Sequence, residues 1–217
     1  MSSTALPQHG AASAAARAQL RSLAERRFRE SVELPTRFFE AHADAISRAC
    51  LAMAQRFQRG GRLLVFGDGA AATDAQHVSV EFVHPVLVGK RALPALALGS
   101  DVAALSGVAA SAAAASLGDA FARVLGVLGR EADIAMGIAG AAAADSVAQG
   151  LLRARQMRML TIALAGAGGA KGLERAGTDF LFVVPSADAM LVQEVHETLY
   201  HVLWELVHVF FEHEVLA

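Results

Sequence analysis

VFGDGAAATDAQHVSVEF, residues 65–82, passes from a short apolar run into a glycine turn and then into a helix-forming segment. A strand, a tight turn and a helix in that order predict one unit of an α/β fold. The free amides at such a helix start attract anions, phosphate among them. Here, however, Gly67-Asp68-Gly69 is followed by alanines where hydroxyl side chains would help. The third glycine of a dinucleotide fingerprint is missing too, so the turn does not argue for NAD. The helix carries Asp74, His77, Glu81 and His84 along one face instead. Spacing alone leaves open whether that face serves a reaction centre or makes satisfied polar contacts at a helix interface.

Working outward, four more short apolar runs follow the first at Leu63–Phe66: Ala95–Leu98, Ile134–Ile138, Leu160–Leu164 and Phe180–Val184. Helical material separates each from the next, which predicts a parallel sheet covered on both faces. Small-residue loops at Gly67–Gly69, Gly137–Ala144 and Gly166–Gly169 mark the strand ends where ligands bind in open sheets. Upstream, Leu20, Leu23, Ala24 and Phe28 recur at helical spacing. Pro35 predicts a break, then a second helix burying Phe38, Phe39, Ile46, Leu51 and Phe57 and ending at Gly60-Gly61. Residues 1–12 read as a flexible leader, and residues 13–217 as a single domain whose helical first part covers about 13–59.

The last helix is expected from about Ala187 to Glu212, started by Pro185-Ser186. Leu191, Val195, Leu199, Leu203, Leu206, Val207, Phe210 and Phe211 leave little of it polar, so it is expected to be buried on more than one side. That burial predicts an obligate oligomer. Gln193, Glu197, His201 and His208 form a polar stripe on this apolar helix, where an unpaired buried group costs about 1–3 kcal/mol. His196, His208 and His213 read as solvated or interfacial, and Arg21, Arg26, Arg27 and Arg29 as a solvated face.

Composition narrows the function. The net charge of −2, without a long basic run, argues against a nucleic-acid partner. Alanine raises the mean hydropathy without giving the roughly 20 strongly apolar residues of a bilayer span, so no membrane association is expected. The one cysteine, Cys50, reads as a core residue of a cytoplasmic protein. His77 and Glu81, four apart, project together, as do Gln193 and His201, eight apart. These four could close around one divalent metal, act as an acid–base pair, or be satisfied contacts between helices.

The segments GDGAAATDAQHVSVEF, PALALGSD, GREADIAMGI and VQEVHETLYHVLWELV, in this order, resemble the sugar isomerase (SIS) domain class. The likeness is to the phosphoheptose isomerases, which interconvert sedoheptulose 7-phosphate and mannoheptose 7-phosphate. It implies a flavodoxin-like three-layer α/β fold with a five-stranded parallel sheet and long N- and C-terminal helices. It also implies a homotetramer with active sites between subunits, acting on a sugar or sugar phosphate. By position, the resemblance implies zinc held by His77, Glu81, Gln193 and His201, with Glu81 as the base at carbon and His201 as its acid–base partner. Substrate contacts are implied at Asp68, Gly69, Ala71, Ala139, Ala141 and Asp101.

Departures from the family pattern are concentrated in the loops. Asp68 and Ala71 stand where the family commonly has an amide and a serine, and residues 139–144 (Ala-Gly-Ala-Ala-Ala-Ala) where it has a hydroxyl-rich run. His84-Pro85 replaces the arginine that usually follows the glutamate. Each lost hydrogen bond to a charged oxygen is worth about 1.5–3 kcal/mol. The alternatives are a non-catalytic regulator that binds a protein partner, and a metal-dependent accessory protein acting on another small molecule.

Overall fold

The computed structural model describes residues 13–110, 118–141 and 145–212. The expected leader at 1–12, the alanines at 112–115 and 142–144, and His213 lie outside these residues. Five parallel strands, β1 (Leu63–Gly67), β2 (Ala95–Ala97), β3 (Ile134–Ile138), β4 (Leu160–Gly166) and β5 (Phe180–Val184), form one sheet in the order β2-β1-β3-β4-β5. Each falls where an apolar run predicts it. β1, β3 and β4 are buried at every position, as strands covered on both faces must be.

The pleat sorts side chains into two cores. Leu63, Val65, Ile134, Met136, Ile162 and Leu164 pack against helices α1 (Ala14–Gln58), α2 (Ala70–Val83) and α7 (Ala189–Glu212). Leu64, Phe66, Ala135 and Ala163 face α4 (Gly118–Leu128), α5 (Asp145–Gln156) and α6 (Ala170–Ala176). A further helix, α3 (Val102–Ala110), follows β2 and a short 3-10 turn. This is the three-layer α/β fold expected from the sequence. No helix among the described residues is long and apolar enough to cross a membrane.

Several local expectations are corrected. Pro35 does not break the N-terminal segment: α1 runs through it for 45 residues. An interior proline costs about 3 kcal/mol. Leu34, Phe38, Ile46, Met53 and Phe57, all buried on one face that spans the proline, each contribute roughly 1.5–3 kcal/mol, so continuity wins. Gly67, Gly137 and Gly166 belong to strands, not to loops. At Gly137 a Cβ would meet Val147 Cγ1 at 2.5 Å and Leu151 Cδ1 at 2.8 Å, so the glycine lets α5 sit close on the sheet. The start of α7 is set by Asp188, which accepts from the amides of Met190 and Leu191, not by Pro185-Ser186. Finally, α7 finds its burial within the chain, between α1 and the sheet. Exposed apolar side chains include Leu20, Leu23, Phe28 and Val32 on the first part of α1, along with others such as Val88 and Val127 elsewhere.

Candidate active site

The sheet order changes direction between β1 and β3, and a crevice opens at the carboxyl ends of these two strands. Its outer part, about 460 Å³, lies between Asp68, Ala70 and Ala71 after β1, Gly140 and Ala141 after β3, and Ala187 and Ala189 before α7. An inner chamber of about 110 Å³ shares Ala70, Ala71 and Gly140 and reaches Asp74, Gln193 and His196. Gly69 turns the chain into α2 with φ of 56°, a conformation that L side chains rarely adopt. Asp68 accepts a hydrogen bond from the Ser146 hydroxyl at the start of α5. Ala139 is buried at the end of β3. Asp101 is elsewhere: it caps α3 through the Ala104 amide, 2.9 Å away, and lines a depression between α3 and α4.

One turn further along α2, the helix meets α7. His77 Nε2 is 3.3 Å from Glu81 Oε1, the contact that four-residue spacing predicts. From α7, the Tyr200 hydroxyl lies 2.9 Å from His77 Nδ1, and Glu197 Oε1 is 3.9 Å from the same nitrogen. The His201 ring sits 5.2 Å from that of His77, at 74°. Two tautomers fit these contacts: Nε2–H on Glu81 with Nδ1 accepting from the phenol, or Nδ1–H on the phenol oxygen with Nε2 free as a metal ligand. Burial first, then the carboxylates of Asp74, Glu197 and Glu81, hold the Tyr200 hydroxyl protonated by raising its pKa. Asp74 is buried, and that desolvation raises its carboxyl pKa against the Gln193 bond, which lowers it.

Two separated segments thus bring His77, Glu81 and His201 together. Gln193, two turns before His201 on α7, donates its amide to Asp74 Oδ1 at 2.9 Å. Glu197 takes the place beside the imidazoles, with donor atoms of His77, Glu197 and His201 all within 4.8 Å of one another. This set suits a zinc ion. Two imidazoles with carboxylates are common zinc donors, and the 3.3 Å between His77 Nε2 and Glu81 Oε1 equals the edge of a tetrahedral site with bonds of about 2.0 Å.

The remaining expectations divide. His84 ends α2 as an exposed cap and does not join the cluster. His208 is buried, not solvated, between the Trp204 and Arg91 carbonyls. His196 is also buried, its pKa lowered to about 4 by desolvation against a bond to Ala165 that raises it. Arg27 is not merely solvated: its guanidinium grips both oxygens of Asp188. Tyr200 escaped the sequence reading because an aromatic on an apolar helix face looks like core. Its position next to His201 was the available signal.

Residues 27–166 match the SIS domain family. The phosphoheptose isomerase of Thermodesulfovibrio yellowstonii is 33% identical over 83% of this chain and 87% of its own length. The chain belongs to the SIS-domain family. Another SIS relative, the phosphoheptose isomerase of Pelodictyon phaeoclathratiforme, is 39% identical over 82% of this chain and 83% of its own length. Among solved SIS structures, the phosphoheptose isomerase of Francisella tularensis is similar at 28% identity, with a TM-score of 0.78 over 88% of this chain and 98% of that one. That of Neisseria gonorrhoeae gives 26% and 0.77 over 87% and 98%.

Proposed function

We propose that this SIS-domain chain catalyses aldose–ketose isomerisation of a sugar, in the manner of the phosphoheptose isomerases it resembles. The observation that carries the proposal is the meeting of His77 and Glu81 from α2 with His201 from α7. In this reading Glu81 removes the proton from the carbon beside the carbonyl. His201 moves the proton between the carbonyl and hydroxyl oxygens, and an enediol forms. Return of the proton to the neighbouring carbon completes the exchange. Tyr200, at Nδ1, fixes the His77 ring so that Nε2 faces Glu81 and, as the Nδ1–H tautomer, can bind a metal there. A zinc ion held by His77, Glu81 and His201, with Glu197 or a reoriented Gln193, would supply a Lewis acid for the developing oxyanion. The assembly we assign is a cytoplasmic homotetramer.

Solvent deuterium uptake at the substrate carbon tests the reaction, with sedoheptulose and its 7-phosphate as probes. Glu81→Gln is expected to lower exchange by about 10²–10⁴-fold while leaving the fold intact. Metal analysis of the wild type beside His77→Ala and His201→Ala tests the coordination. Exchange that survives Glu81→Gln unchanged would remove the proposed base.

A further inference from the structure

The crevice beside Asp68 is poor in side-chain donors, and several of its backbone amides are already engaged. The Ser146 hydroxyl is spent on Asp68, whose second oxygen remains available. The amides of Ala71 and Ala72, at the start of α2, close on the carbonyls of Asp68 and Gly69. At the start of α7 the amides of Met190 and Leu191 are held by Asp188. Arg27, which reaches the same helix start, is engaged by both Asp188 oxygens. No lysine or arginine lines the crevice among the described residues. Gly140 and Ala141, which line the crevice after β3, add no hydroxyl either.

The inner chamber supplies an independent observation. His196 lines it and is only 1% exposed, yet its Nε2 has no hydrogen-bond partner among the described residues. The ring bonds the Ala165 carbonyl, which takes its one N–H and leaves Nε2 as an acceptor. Gln193 points its amide nitrogen at Asp74, so its carbonyl oxygen is also an acceptor. A buried acceptor without a donor costs about 1–3 kcal/mol. A ligand hydroxyl entering this chamber removes that cost, whereas a phosphate dianion would meet Asp68 with no cation beside it.

We infer that this crevice holds the hydroxyl-bearing end of an unphosphorylated sugar, with His196 accepting from it and Asp68 turning phosphate away. The inference rests on the isomerase reading for the reaction and changes only what the far end of the sugar carries. Calorimetric titration of the full chain with sedoheptulose and with sedoheptulose 7-phosphate tests it. Wild type is expected to bind the neutral sugar at least about tenfold more tightly. Asp68→Ser, which removes the charge and frees Ser146, is expected to gain about tenfold for the phosphate. His196→Phe is expected to lose about tenfold for the neutral sugar, with His196→Gln as the second variant if the ring change disturbs folding.

Equal or tighter binding of the phosphate by wild type, or no binding of either sugar, overturns the inference. An Asp68→Ser protein that still rejects phosphate as wild type does overturns the role of Asp68. Deuterium uptake on the same samples separates the two readings. Preference for the neutral sugar without uptake sinks the isomerase alone, and uptake with a preference for phosphate sinks this inference alone.

Discussion

At the scale of single residues, His196 shows what an apolar helix costs its polar members. Its folded pKa of about 4 lies below the ordinary 6.5, because burial disfavours the imidazolium more than the Ala165 bond favours it. Between those values the unfolded chain binds the extra proton. This contribution to stability is therefore complete above about pH 6.5 and is lost as pH falls towards 4. The size is on the order of 3 kcal/mol. Urea unfolding of wild type and His196→Phe at a series of pH values is expected to show the difference opening in that window. Parallel curves would mean that the imidazole is hydrated in the folded state. Half of the candidate centre was legible at this scale. His77 and Glu81 announce themselves by i, i+4 spacing, and His201 by its place on a polar stripe. Contacts such as Ser146 to Asp68 and Tyr200 to His77 join residues 78 and 123 positions apart, and no local pattern encodes them.

At the scale of elements, the strands were readable because each is a short apolar run, and the three central ones are buried at every position. Errors came where packing overrode a local rule, as when the buried face of α1 carried the helix through Pro35. The end of the sheet away from the crevice depends on a contact that is equally non-local. Asp133, just before β3, is 1% exposed and accepts from the Arg62 and Arg130 amides at 2.8 and 3.0 Å. It also meets the Arg62 guanidinium at 2.7 Å, and that hydrogen bond raises the arginine's pKa. One side chain thereby clamps the entrance of β1 to the entrance of β3. Asp133→Ala leaves the Arg62 and Arg130 amides without their acceptor, while the part-exposed Arg62 guanidinium keeps the Leu128 carbonyl, and is expected to cost about 1–3 kcal/mol in chemical denaturation. Because the clamp sits at the opposite ends of the strands from the crevice, deuterium uptake per folded molecule is expected to stay at the wild-type level. A loss of uptake without a loss of stability would mean that the clamp shapes the site.

At the scale of the whole molecule, the helix left short of burial is the first, not the last. No described residue before Leu34 is buried, so roughly 30 Å of α1 stands clear of the core. A helical stretch of that length is marginal in water without packing along one side. Leu20, Leu23, Phe28 and Val32 present an apolar side there, and Phe28 is 73% exposed. Exposed rows of this kind mark interaction surfaces, and in the proposed homotetramer a second copy of the same helix would be the occupant. From this segment Arg27 reaches Asp188, at the start of α7, and Glu194 within it, and such solvent-screened pairs hold a helix only weakly. Sedimentation velocity is therefore expected to give a tetramer of the 22.6 kDa chain for wild type, and smaller species for Leu23→Glu combined with Phe28→Glu. Since neither residue touches the described site, a monomeric double variant that keeps full deuterium uptake would show that each subunit carries a complete reaction centre. Loss of uptake on dissociation would show instead that a neighbouring copy completes it. A wild-type chain that sediments as a monomer at micromolar concentration would leave the exposed helix without a partner and remove the tetramer from the proposal.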